Sequence, residues 1–302
     1  MHELIIIGGG PAGMTAAVYA ARKKMDVLLI TKEFGGQMMW TREIENYMGF
    51  QYITGPELIN KFEEHVKKFP VTTKYEEVTR LSVAEDGTFR VTTDQEKYQA
   101  KTVIIASGKR PRRLGVPGEE EFTGRGVGYC ATCDGPLYAG KTVAVVGGGN
   151  SALQATIELS GIAEKVYLVV RGEYKADPVV IEKLESATNV EVLRGYTARE
   201  IAGKDTVERF VVDSKERGVE KELNVQGIFV EIGLDPNSEF ARETTKLNRY
   251  NEIVVDCRSS SNIPGLFAAG DVASGPDKQI IIAAGDGAKA ALVAYEYLLH
   301  RR

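Results

Sequence analysis

Two stretches of this 302-residue chain carry the same pattern, 139 residues apart from Gly8 to Gly147. In each, an apolar run turns through glycines into a helix-forming stretch. Leu4-Ile5-Ile6-Ile7 leads into Gly8-Gly9-Gly10-Pro11-Ala12-Gly13, and Thr142-Val143-Ala144-Val145-Val146 leads into Gly147-Gly148-Gly149-Asn150-Ser151-Ala152. An unbroken apolar run is what a parallel strand buried on both faces requires. In G-x-G-x-x-G/A the first glycine permits a tight turn and the second lets a pyrophosphate approach the backbone. The third small residue lets the helix pack close to the strand. The helix N-terminus then offers N–H groups and a positive dipole end to phosphate. Either copy alone leaves open a glycine turn kept only for packing. The repeat predicts an α/β chain of two Rossmann-like three-layer dinucleotide-binding domains.

The first copy continues into Val27-Leu28-Leu29-Ile30, where the usual ribose-binding acid is replaced by Thr31-Lys32, with Glu33 just beyond. A hydroxyl can still bond a ribose. Gly35-Gly36-Gln37 permits a second close approach of backbone to ligand. Leu58, Ile59, Phe62 and Val66 recur at helical spacing after Pro56. From Val71 to Val103 the apolar period becomes two, with a turn at Asp86-Gly87, as expected of an antiparallel layer. It closes on Ile104-Ile105-Ala106-Ser107-Gly108. The charged, Pro-containing segment from Lys109 to Gly118 reads as a domain crossing. The second copy continues through Val166–Val170 and strand-like segments at Val190–Leu193, Arg209–Asp213 and Gly227–Ile232. The polar stretch Ala241–Asn251 is the expected return. Gly265–Asp271 is a short strand closing on Gly-Asp, and an Ala-rich helix runs from Gln279 towards Leu299. The expected organisation is a discontinuous first domain, 1–114 and 247–302, with the second, 115–246, inserted in it.

A net charge of −4 and a pI near 5.7 argue against nucleic-acid or anionic-membrane partners, which need a basic footprint. The run Lys109 to Arg113 is short and reads as a solvated linker. No apolar run reaches membrane-spanning length, since the candidate near the C-terminus contains Asp286 and Lys289. Met1-His2-Glu3 passes straight into a strand without a basic leader, so a cytoplasmic protein is expected. In that reducing compartment a close cysteine pair is more often catalytic or metal-binding than structural. Cys130 and Cys133 form such a pair in Cys130-Ala131-Thr132-Cys133-Asp134, among Gly124, Gly126, Gly128 and Gly135. Zinc needs about four ligands. Only Cys257, His2, His65 and His300 remain, each isolated, so no metal is expected. Cys257 reads as a small buried apolar residue of a strand Ile253–Cys257.

In this order of motifs the chain resembles the thioredoxin-reductase family of flavoprotein disulfide reductases over nearly its whole length. Lys175-Ala176-Asp177 and Lys278-Gln279-Ile280-Ile281-Ile282 are also similar to the flavoprotein subunit of alkyl hydroperoxide reductase. That protein carries an extra N-terminal redox module. No such module is expected from this sequence, so a separate thioredoxin-like carrier is. The resemblance implies FAD in the discontinuous domain, with contacts at Gly8, Gly10, Pro11, Ala12, Gly13, Thr31, Lys32, Glu33, Gly36 and Gln37. It extends them to Asn46, Val78, Ala106, Ser107, Gly108, Gly270, Asp271, Lys278, Gln279 and Ile280. Asp271 would meet the ribityl chain, with Gln279 and Ile280 beside the flavin. Cys133 would face the flavin and Cys130 would attack a protein disulfide such as that of thioredoxin, with Asp134 shuttling a proton. Asp134 as a helix cap or turn acid stays open. A homodimer is implied as well.

The implied second nucleotide site comprises Gly147, Gly149, Asn150, Ser151, Ala152, Arg171 and Lys175, and here the sequence departs from the family. NADPH-using relatives follow the second strand with a His-Arg-Arg run, whereas this chain has Val170-Arg171-Gly172-Glu173-Tyr174-Lys175. NADH-preferring folds place an acid at the strand end, where Val170 stands. A glutamate frequent in relatives is Gln154. The electron donor is therefore open between NADPH or NADH and a donor that bypasses this site, such as reduced ferredoxin or another flavin. The expected function is an FAD-dependent disulfide oxidoreductase working through Cys130 and Cys133. Its alternatives are an ordinary NAD(P)H-dependent thioredoxin or peroxiredoxin-system reductase and a non-catalytic FAD-binding redox sensor.

Overall fold

A computed structural model describes residues 1–40, 44–214, 216 and 218–300. The chain groups into two compact units. One comprises Met1–Met39, Ile44–Arg110 and the chain from Asp235 onward, and the other is built from Pro111–Leu234.

The first unit starts with β1 (His2–Gly9), α1 (Pro11–Arg22), β2 (Val27–Phe34), α2 (Gly55–Lys67) and β3 (Thr72–Tyr75). The strands β4 (Val78–Val83), β5 (Phe89–Thr93) and β6 (Lys97–Ile105) follow. Successive side chains of β1 alternate between two cores, as a pleated strand dictates. Leu4 and Ile6 pack with the alanines of α1, while Ile5 and Ile7 pack with Leu28, Leu81 and Phe89 on the other face. Each such side chain, fully buried, contributes about 1.5–3 kcal/mol. The helix α2 is started by a capping box in which Thr54 and Glu57 satisfy each other's backbone N–H groups.

A short strand β7 (Lys109–Pro111) leads into the second unit. There the chain forms α3 (Glu119–Phe122), β8 (Val127–Gly128), α4 (Ala131–Asp134), β9 (Thr142–Val146), α5 (Asn150–Ser160) and β10 (Lys165–Val170). It continues as α6 (Pro178–Glu185), β11 (Val190–Arg194), β12 (Thr197–Gly203), β13 (Val207–Ser214), β14 (Val219–Asn224) and β15 (Gly227–Val230). The parallel sheet runs in the order β11-β10-β9-β15-β8, and β12-β13-β14 form a separate antiparallel sheet. The chain returns through β16 (Leu234–Pro236), which pairs with β7.

Back in the first unit, β17 (Leu266–Ala268) and α7 (Ile280–Leu299) complete the fold. The sheet order is β3-β2-β1-β6-β5-β4, with β17 also on β6. Strand β6 runs parallel to β1 and shares its other edge between two partners: Lys97–Ala100 run antiparallel to β5, and Val103–Ile105 run parallel to β17. The helices α1 and α7 cross through buried Ala and Gly. A Cβ on Gly287 would come within 2.0 Å of the Ala12 carbonyl oxygen. Each unit thus carries a parallel strand–helix–strand core of Rossmann type.

Several local expectations differ from the structure. In the layer expected to be antiparallel from Val71, β3 pairs parallel with β2, and Lys109, expected in a solvated linker, is nearly buried against Glu252. The chain returns at Asp235 rather than at 247, because the polar stretch after it is built into the first unit. Ala241 is buried there, the Thr244 hydroxyl donates to the Leu81 carbonyl at 2.6 Å, and the Ser238 hydroxyl donates to the Asn251 carbonyl at 2.6 Å. Cys257 is neither buried nor in a strand. It lies exposed in a turn held by Asp256, whose carboxylate accepts the N–H groups of Arg258 and Ser260 at 2.8 and 2.9 Å. That side chain-to-backbone bonding outcompetes strand pairing.

Candidate functional site

In the first unit the turn from β1 to α1 is closed against the end of β6. Gly8 has φ +115°, and a Cβ there would lie 2.3 Å from the Ala106 carbonyl oxygen. A Cβ on Gly13 would lie 1.8 Å from the Gly8 carbonyl oxygen, so the helix presses on the turn as the fingerprint demands. Gly10, the N-cap of α1, faces open space, supplies no side-chain cap, and has Pro11 behind it. The first turn, including Ala12, carries no acid. These donors are left to an incoming phosphate, so the residues present fit a dinucleotide such as FAD.

The other expected cofactor residues fall around this turn. Thr31 is buried, abuts Gly9, and donates its hydroxyl to the Glu33 carbonyl at 2.6 Å. Lys32 and Glu33 are exposed, and Lys32 pairs with Glu77 at 2.6 Å, next to Val78 at the head of β4. Gly36 and Gln37 open a 3₁₀ turn, from which the Gln37 amide donates to Asp271 at 3.0 Å. The Asn46 amide likewise reaches Gln279, the N-cap of α7, at 3.1 Å. Ile280 starts that helix. Ser107 and Asn237 bond each other's backbone carbonyls, and Asn237 N–H donates to the Gly108 carbonyl.

Asp271 follows Gly270 in a short turn after β17. Burial pushes its carboxyl up from the usual range, against the opposing charge of Lys278 and the bond from Gln37. Burial also pushes the Lys278 ammonium down. Sequence reasoning did not find the partners of that lysine: Glu252 lies 3.5 Å from Lys278 and 2.6 Å from Lys109, all three nearly buried. Burial opposes ionisation of Glu252, but the bonds from Lys109 and Asn248 and the charge of Lys278 hold its carboxyl below its ordinary value.

In the second unit Cys130 and Cys133 are joined as a disulfide, their Cα atoms 5.3 Å apart. Cys130 precedes α4, the short helix that carries Cys133, and Asp134 N–H donates to the Cys130 carbonyl at 3.1 Å. The Asp134 side chain makes no capping bond to the following 3₁₀ turn. One of its carboxylate oxygens would lie 3.2 Å from a Cβ on Gly128, so that glycine leaves the acid its place. Two further acids hold the ring. Glu158 of α5 accepts the Thr132 hydroxyl at 3.0 Å, and Glu231, directly after β15, accepts the Ala131 N–H at 3.5 Å. Neither was singled out from the sequence. The signal for Glu231 was its place after β15, equivalent to that of Ala106 after β6.

The second glycine turn repeats the main chain of the first. A Cβ on Gly147 would lie 2.3 Å from the Glu231 carbonyl oxygen, and Glu231 N–H donates to the Val146 carbonyl as Ala106 N–H does to Ile7. The side chains differ. Gly148 abuts Val170 where Gly9 abuts Thr31. Gly149 is the N-cap of α5 and Ala152 is buried in its first turns. The Asn150 amide donates to Asp177 at 3.1 Å and accepts the Asp177 N–H at 2.8 Å, which ties it to the start of α6. Lys175 N–H donates to the Gly148 carbonyl at 2.7 Å, with its side chain exposed, and Arg171 is exposed too. The main chain fits a dinucleotide. Val170 offers a ribose no polar group.

The sequence family described as pyridine nucleotide-disulphide oxidoreductase matches residues 2–289. An NADH dehydrogenase of Bacillus subtilis is 42% identical over 298 residues, covering 98% of this chain and 58% of that protein. The F subunit of alkyl hydroperoxide reductase in Pseudomonas putida is 42% identical over 302 residues, with the same two coverages. The chain therefore spans 58% of the length of these curated relatives. Among solved structures, thioredoxin reductase from Streptococcus pyogenes superposes with a TM-score of 0.92 at 39% identity, covering 99% of each chain. With both glycine turns, the cysteine pair and this overlap in hand, the chain is placed in the pyridine nucleotide-disulphide oxidoreductase family, with the two-domain fold of thioredoxin reductases.

Proposed function

We propose that the protein is an FAD-dependent disulfide oxidoreductase that passes electrons through Cys130 and Cys133 to the disulfide of a thioredoxin-like protein. The observation that carries this reading is the closed Cys130–Cys133 ring, set among Asp134, Glu158 and Glu231. Its support from relatives is the likeness to thioredoxin reductase and to the alkyl hydroperoxide reductase flavoprotein.

FAD would be held by the Gly8–Gly13 turn, Thr31, Gln37, Asp271 and the start of α7, and bound there it would supply two electrons. Opening the ring takes up those two electrons and two protons, giving two thiols. Cys130, as thiolate, attacks one sulfur of the partner's disulfide, whose other sulfur leaves and takes a proton. Cys133 then attacks the Cys130 sulfur of the mixed disulfide, which re-forms the ring and releases the second partner thiol. Asp134, beside the ring, is the group in place to hold the proton that Cys133 gives up.

The donor in this proposal bypasses the second glycine turn, as reduced ferredoxin or a second flavin would. Val170 and Glu231 at that turn favour it. The preserved main chain around Gly147 and Gly149 favours the second reading, an ordinary NADH- or NADPH-dependent reductase. We take the working form to be a homodimer in the cytoplasm. Anaerobic reduction by a donor panel, followed by thiol counting and transfer to thioredoxin, tests the whole. Reduced thioredoxin with each two-electron equivalent is the expected result, and a reduced flavin with Cys130 and Cys133 still joined would overturn it.

A further inference from the structure

At the two places where the repeat sets a strand end against a glycine turn, the residues are Ala106 and Glu231. Their main chains make the same contacts, so the difference lies in the side chain. Alanine leaves the head of α1 clear. The side chain at this place faces the helix head, since the Ala106 Cβ lies 3.5 Å from a Cβ on Gly13. In the second unit it is a carboxylate, which accepts the Ala131 N–H at 3.5 Å and is favoured in its ionised form by the Ser151 hydroxyl. Ser151 lies in the first turn of α5, where the diphosphate of a dinucleotide has to settle. A carboxylate there meets a ligand of its own sign, and like charges brought together at a binding surface repel and weaken binding.

We propose that Glu231 is a specificity-determining residue that, when ionised, excludes dinucleotide diphosphates from the Gly147–Ala152 turn. The inference deepens the reading above, in which the second unit keeps a nucleotide-binding backbone that a nicotinamide donor does not use.

The exclusion is conditional on pH. Burial, chiefly, and the charge of Glu158 push the Glu231 carboxyl up to about 7, against the bonds from Ala131 and Ser151. The other groups of the ring are Asp134, which faces Gly128, and the cysteines, which do not titrate while joined. All three histidines, His2, His65 and His300, belong to the other unit. A binding change near neutrality in this unit is therefore assigned to Glu231. The acid is neutral below that value and ionised above it, so affinity falls as pH rises.

Calorimetric titration of the oxidised, flavin-loaded protein with NAD+ and with ADP-ribose tests this without turnover. Neither probe carries a 2′-phosphate that would titrate near neutrality. Wild type should bind both at least about tenfold more tightly at about pH 6 than at about pH 8.5. Glu231→Gln, which keeps the shape and removes the charge, should bind at about pH 8.5 as wild type does at about pH 6, with no pH dependence. A second variant, Glu158→Gln, should move the wild-type transition to lower pH. Equal affinities of wild type and Glu231→Gln at about pH 8.5, or a wild-type affinity that ignores pH, would overturn the proposal. Disulfide transfer through Cys130 and Cys133 is measured separately, so loss of one proposal leaves the other standing.

Discussion

A Cβ added to Gly8 would stop 2.3 Å from the carbonyl oxygen of Ala106, and one added to Gly147 would stop 2.3 Å from that of Glu231. The two glycine turns share a backbone to that precision, yet their surroundings diverge. The first has a hydroxyl at Thr31, a clear helix head at Gly10 and a carboxylate–amide pair at Asp271 and Gln37. The second has a methyl at Val170, an asparagine tied to Asp177 and the carboxylate of Glu231, which accepts the Ala131 N–H. Glycines here are held by packing, whatever binds. The side chains facing the turn decide whether a dinucleotide does.

The largest effect should separate the units by chemistry. Cys133→Ser removes the resolving sulfur and should lower transfer to a protein disulfide by at least about a thousandfold. Flavin content, read from absorbance, should not change, because the substitution lies outside the first unit. Loss of flavin in this variant would break the assignment of the two roles to two units.

How much of this was open in the sequence depends on what kind of signal each part gives. The repeat was legible because strands buried on both faces and glycines under contact leave a local pattern at Ile5–Gly13 and Val143–Ala152. The cysteine pair was legible through its spacing. The return at Asp235 was not, since Ser238 and Thr244 are polar for bonds to distant carbonyls, and a composition shift cannot tell such residues from a linker. Lys109, Glu252 and Lys278 are charges far apart in sequence, and only folding makes them a buried cluster. Glu231 was marked only by its place at an apolar strand end, whose equivalence to Ala106 emerges when the two glycine turns are compared in three dimensions.

A matched pair of glycine substitutions sharpens the comparison next. Gly8→Ala and Gly147→Ala drive a methyl into backbone at the same distance, so each should destabilise its unit by about 1–3 kcal/mol. Only Gly8→Ala should lose FAD, by about a hundredfold or more in affinity, read from flavin fluorescence on reconstitution. Equal flavin loss in both variants would mean that the second turn also serves the cofactor.

Stability against pH carries a further mark of the second copy. Glu231 has its folded-state value raised from 4.5 to about 7, so the folded chain holds a proton that the unfolded chain releases in that window. The stability it contributes is complete below 4.5 and lost as pH rises through 7. Glu231→Gln should remove that decline and exceed wild type at alkaline pH by up to about 3 kcal/mol. Urea melts at either end of the window measure it, and parallel curves for the two proteins would contradict it.

The smallest effect tests the strand ends. Thr31→Val copies Val170 into the first turn, leaving the Glu33 carbonyl without its 2.6 Å donor. FAD affinity should weaken about fivefold, the scale of one hydrogen bond near 1 kcal/mol. An unchanged affinity would remove Thr31 from the cofactor site.

The central claim is that electrons leave through Cys130 and Cys133 but do not enter at Gly147. Anaerobic mixing of the oxidised flavoprotein with micromolar NADH or NADPH, while the flavin band is followed, addresses it most directly. The account predicts a band that persists on the timescale of turnover and bleaches when reduced ferredoxin or a reduced flavin is supplied, with two thiols appearing. Rapid bleaching by either nucleotide would contradict it.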